Sequence, residues 1–94
     1  MKHAKVDDNQ AEIVAVLRSL GVSVQSLASV GKGTPDLLCG HSGVNWLFEV
    51  KDGNKAPSAR KLTTDQVEWH GAWRGSVHVI KNATEAMRLL ELIK

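Results

Sequence analysis

The chain has 94 residues, 43% hydrophobic and 23% charged, the proportions of one ordinary globular domain, 1–94, with no room for a second. A single cysteine, Cys39, excludes an intramolecular disulfide framework and a cysteine-rich zinc site, and no apolar run reaches the roughly 18–20 residues of a membrane span. Net charge is only +2, yet residues 51–61 carry +3 through Lys51, Lys55, Arg60 and Lys61 against Asp52, so the basic charge is local.

Apolar residues at Ile13, Val16, Leu17 and Leu20 repeat at i, i+3, i+4 and i+7, which predicts an amphipathic helix over residues 9–20, stopped by Gly21. Val22, Val24, Leu27 and Ala28 predict a β-rich segment. Gly31, Gly33 and Pro35 make residues 31–35 a loop. A strand over 36–39 then turns within 40–43, and a mostly apolar strand over 46–51 acquires charge only at its end. Residues 52–62, with Gly53, Asn54, Pro57 and the basic cluster, read as an exposed connection. Thr63 is the expected N-cap of a helix over 63–73. Residues 76–80 form an alternating strand, and Asn82 caps a last helix with Met87, Leu89, Leu90 and Ile93 turned inward. The order α-β-β-β-α-β-α predicts an α/β domain. Its three short-linked strands form an antiparallel or mixed meander, and a fourth joins through a helical crossover, giving one central sheet flanked by helices.

The charges at the strand ends carry the chemistry. Glu49 and Lys51 lie two apart on one strand, so they share a face with Cβ atoms about 6.6 Å apart. Pairing through a turn around residues 40–45 sets Gly40 opposite Trp46 and Asp36 opposite Val50, so two carboxylates and a lysine converge at one sheet edge. Two close carboxylates repel unless a proton or a cation lies between them, and the cation suited to hard oxygen is Mg²⁺ or Mn²⁺. Mg²⁺ keeps several waters, which leaves room for a phosphate and an attacking water, while Lys51 adds a donor toward the developing charge. The plain alternative is a surface Glu49–Lys51 ion pair at a fraying strand end.

Pro35-Asp36, twelve intervening residues and then Glu49-Val50-Lys51 resemble the PD-(D/E)-x-K nuclease motif. With Leu62-Thr63-x-x-Gln66-x-x-Trp69 added, the segment from Glu12 to Ile80 resembles the VRR-NUC family of virus-type replication and repair nucleases. The resemblance implies a restriction-endonuclease-like αβββαβ core with a central mixed four-stranded sheet. It also implies a divalent metal, Mg²⁺ or Mn²⁺, held by Asp36, Glu49 and the Val50 carbonyl. A first-helix Glu12 would reach the metal or its water shell, and Gln66 would orient the site. Small single-domain members typically come from bacteriophages and act on branched DNA, so the expected activity is endonucleolytic cleavage of structures such as Holliday junctions by a homodimer. The rival readings are a DNA-binding or adaptor module without catalysis and a nuclease for single strands or RNA.

From the residues alone, Asn9-x-x-Glu12 and Thr63-x-x-Gln66 both fit capping boxes. Gln66, Trp69 and Trp73 also share one helical stripe, which turns Gln66 toward the sheet and sends both tryptophans to the core. Glu12 stands about 90° from the centre of its own stripe, at the core margin. Lys55, Arg60 and Lys61 are expected to contact DNA phosphates, with Lys32 as a further contact. The Gly31-Lys32-Gly33-Thr34 loop lacks Walker spacing, so no nucleotide cofactor is expected. Cys39 reads as a small buried apolar residue; His3, His41, His70 and His78 have no mutual metal-ligand spacing and read as surface or core residues. The thin core of so short a chain favours dimerisation, with Trp46 as a candidate for the covered surface. The absence of a charged-then-apolar leader points to the cytoplasm, that of a bacterial host for a phage protein.

Overall fold

In the computed structural model, which describes residues 8–94, the elements are α1 (Gln10–Ser19), β1 (Ser23–Ser26), β2 (Leu37–His41), β3 (Val44–Val50), a 3₁₀ turn (Pro57–Arg60), α2 (Thr64–Ala72), β4 (His78–Ile80) and α3 (Ala83–Leu89). His3 lies outside the described residues. The sheet order is β1-β2-β3-β4: the first three strands run antiparallel, and β4 lies parallel to β3. This is the expected mixed four-stranded α/β sheet. Leu27 and Ala28 fall outside β1. No helix among the described residues is long and apolar enough to cross a membrane.

The hairpin between β2 and β3 corrects the expected register by one residue. Ser42 and Gly43 both have positive φ, +50° and +77°, so the chain reverses in a two-residue turn that pairs His41 with Val44 and Gly40 with Asn45. Counting on from Leu37 opposite Phe48, Asp36 stands opposite Glu49, not Val50. Directly opposed residues share a face, so the expected register would have set the two carboxylates on opposite faces of the sheet; the tighter turn unites them.

One face of the sheet, with Leu37, Cys39, Phe48, Val50 and Ile80, packs against Ile13 and Leu17 of α1, Ala86 of α3 and Leu90 at its C-cap. Burial raises the Cys39 thiol to about 11, which keeps it an inert core group. Both helices end in the same reversal, and it decides which apolar residue reaches this core. After α1, Gly21 at φ +85° lets its own N–H bond the Arg18 carbonyl and the Val22 N–H bond the Leu17 carbonyl. Val22 is thereby buried, and Leu20, expected inside, is 45% exposed. After α3, Glu91 takes φ +59° and the Leu92 N–H bonds the Met87 carbonyl at 2.8 Å, so Leu92 packs on the core and Ile93 does not.

Two further expectations fail for local reasons. Asn9 makes no side-chain cap, so the Asn9/Glu12 box does not form; its Nδ2 instead donates to the Lys51 and Lys81 carbonyls at 3.2 and 2.9 Å, tying the start of α1 to the ends of β3 and β4. α2 buries no residue in the core. Its sheet-facing positions are taken by polar side chains that bond Glu49, and Trp69 and Trp73 stack on each other with centroids 4.6 Å apart. The start of α2 lies tightly against the 31–35 loop. Gly33 has φ +81°, and a Cβ there would overlap the Asp65 carbonyl and stand 2.9 Å from the Gln66 nitrogen.

Candidate active site

Glu49 is 1% exposed and Lys51 7%, so they are not a surface pair at a frayed end. Strand pairing continues past β3, with the Lys51 N–H bonding the Ile80 carbonyl at 2.9 Å. Asp36, one residue before β2, accepts the Val50 N–H through Oδ2 at 2.7 Å, so the carboxylate is pinned to the main chain beside Glu49. A buried carboxylate costs several kcal/mol unless donors and opposite charge surround it. α2 supplies the donors.

Gln66 combines the two roles that the sequence left as alternatives. Its backbone N–H and Thr63 Oγ1, with its Oε1 and the Thr63 N–H, complete a capping box. The same Oε1 accepts Lys51 Nζ at 2.8 Å, and Nε2 donates to Glu49 Oε2 at 3.1 Å. The cap fixes the rotamer that lets one amide bridge the acid and the amine. One turn on, His70 Nε2 lies 3.1 Å from Glu49 Oε1. Burial and the Lys51 charge push His70 below the usual histidine value, so the neutral ring donates from Nε2 to the carboxylate. Spacing among the histidines missed His70; the visible signal was Gln66 and His70 at i, i+4, one face of one helix.

These groups open onto a cleft of about 300 Å³ lined by Asp36, Glu49, Val50, Lys51, Lys55, Ala59, Lys61, Thr63 and Gln66. Three lysines of the basic segment, Lys51, Lys55 and Lys61, therefore wall the same cleft as the carboxylates. Arg60 is half-buried in the 3₁₀ turn, and Lys32 is exposed at the tip of its loop. Glu12 is not brought to this cleft: exposed on α1, it lines a separate depression with Asp52, Asn54 and Lys81. The docking of Asn9 on the strand ends sets that direction for the first turn of α1. Asp52, expected in an exposed connection, is buried, with Oδ1 accepting the Asn54 N–H. His78 contacts the rings of Trp46 and Phe48, and Trp46 itself packs half-buried on the core.

The donor set suits a hard divalent cation. No group of three or more His, Cys, Asp or Glu among the described residues could hold a metal ion. Two carboxylates meeting at one strand end, with a main-chain carbonyl and water to complete the shell, are what Mg²⁺ accepts. A soft-metal site would need sulfur or clustered imidazole, and neither is in the cleft.

A solved structure described as a VRR_NUC domain is similar to this chain, with TM-score 0.62 and 30% sequence identity over 90% of this chain and 92% of its own. No protein-family model and no curated protein matches.

Proposed function

Because the chain belongs to the VRR-NUC family and has a nuclease-type fold, we propose that it is a Mg²⁺- or Mn²⁺-dependent endonuclease that hydrolyses DNA phosphodiester bonds. The observation that carries this reading is the pairing of Asp36 with a buried Glu49 at one strand end, in a cleft walled by Lys51, Lys55 and Lys61. Asp36, Glu49 and the Val50 carbonyl would hold the metal, which when bound polarises the scissile phosphate and lowers the pKa of an attacking water. Gln66 keeps Lys51 2.8 Å from its own Oε1, so the ammonium is held at the site at no further ordering cost when negative charge builds on the phosphoryl oxygens. Lys55 and Lys61 draw the strand in by its phosphates.

The substrate in this reading is branched DNA such as a Holliday junction, and the assembly is a two-fold dimer that sets two sites against two strands. Exposed Val67 and Val79 leave apolar surface for such contacts. Sedimentation at micromolar protein should give about twice the 10.2 kDa chain mass. A monomer would remove the paired-site reading alone.

The activity is tested with end-labelled junction, flap, duplex and single-stranded DNA in Mg²⁺, Mn²⁺ and EDTA. Cleavage should require the cation and disappear in Asp36→Asn and Glu49→Gln while DNA binding persists. Full cleavage by either variant, or by the parent in EDTA, would overturn the assignment.

A further inference from the structure

We propose that Trp69 and Trp73 form a stacking platform for an unpaired nucleobase of the DNA strand lying in the Asp36–Glu49 cleft, an inference that rests on the nuclease reading and names the substrate feature selected. The two indoles are stacked, 4.6 Å between centroids and 19° between planes, and Trp73 is 46% exposed. They have not been recruited to the core, although burial of such rings is the strongest apolar contribution a helix can make.

Their position gives the platform its meaning. Gln66, Trp69, His70 and Trp73 follow i, i+3, i+4, i+7 on α2 and its C-cap, and the first and third of these bond Glu49. The stripe that builds the site thus runs on into the stacked pair. At 1.5 Å of rise per residue, Trp73 lies about 10 Å along the helix from Gln66, the reach of roughly two or three nucleotides. Lys61 precedes the helix, and Arg74 follows Trp73, so cations stand at both ends of the stripe. Glu68 points about 150° away from its centre. Aromatic faces beside a cationic track are the general means of holding single strands. A base within a duplex has both faces covered, so the platform favours a flap, a frayed junction arm or a single strand over plain duplex.

The test measures anisotropy in EDTA with labelled oligothymidylate and an abasic oligomer of equal length and charge. The parent should bind the base-bearing strand about tenfold tighter. Trp73→Ala should lose that preference with abasic affinity unchanged, and Trp73→Phe should keep most of it. Should Trp73→Ala fail to fold by circular dichroism, quenching of parent indole fluorescence by the base-bearing oligomer and not by the abasic one supports the platform; equal quenching overturns it. Equal affinity for both oligomers in the parent overturns the platform and leaves the nuclease reading intact. A Trp73→Ala protein that keeps the preference but loses self-association also overturns it, assigning the pair to contact between copies. Binding of neither oligomer overturns the platform, and the cation-dependent cleavage assay decides the nuclease reading.

Discussion

Gln66 is the residue on which acid, amine and helix start all converge, and its replacement separates their energies. Gln66→Ala removes a bond to the exposed Thr63 N–H and two bonds to buried charged groups, Lys51 and Glu49. The cap bond is worth about 0.5–1 kcal/mol and each charged bond about 1.5–3, so after some relaxation a loss of about 3–5 kcal/mol is expected. Gln66→Glu keeps the shape and the acceptor for Lys51 and Thr63 but turns the donor 3.1 Å from Glu49 Oε2 into a second anion. Repulsion of about 4 kcal/mol at an effective dielectric of 20, offset in part by Lys51, leaves about 2–3 kcal/mol of destabilisation at pH 8. One carboxyl of the new pair then has a raised folded-state pKa. The folded state binds the extra proton, so the cost is present above that pKa and fades as pH falls toward 5. The assay is urea unfolding of parent and both variants at pH 8 and pH 5, read as variant minus parent so that shared titrations cancel. A Gln66→Glu protein as stable as the parent at pH 8, or a difference that does not shrink at pH 5, would refute the bridge.

Replacing Lys55, Arg60 and Lys61 together by Ala should flatten the slope of log affinity against log salt by up to about 0.9 per lost duplex phosphate contact. An unchanged slope in a salt titration would make the segment a solvated surface. The lowered His70 pKa means that the folded state binds fewer protons than the unfolded chain between its folded value and 6.5. Its stabilising contribution is therefore present above pH 6.5 and is lost as pH falls through the folded value. Unfolding free energies at pH 7.5 and 5.5 should show a steeper acid loss for the parent than for His70→Gln; equal losses would mean that the imidazole does not titrate against the fold.

What could be read along the chain is what depends on neighbours in sequence. The repeat of Ile13, Val16 and Leu17 sufficed for α1, and Thr63 with Gln66 sufficed for the start of α2, because a helix is made of contacts three and four residues apart. The αβββαβ order and the strand-end trio Asp36, Glu49 and Lys51 were equally legible, since they need only periodicity and the alternation of a strand. The register of β2 on β3 was not. It turned on whether Ser42 would accept a left-handed backbone, a small cost that the paired strands repay, and that single residue determines whether the two carboxylates share a face. The fates of Leu20 and Ile93 turned in the same way on reversals that present Val22 and Leu92 instead. His70 at Glu49, Glu12 in a different cleft and Trp73 outside the core are outcomes of where α1 and α2 dock. Docking is a competition among all faces for a core of limited size, and no local window of sequence contains the competitors.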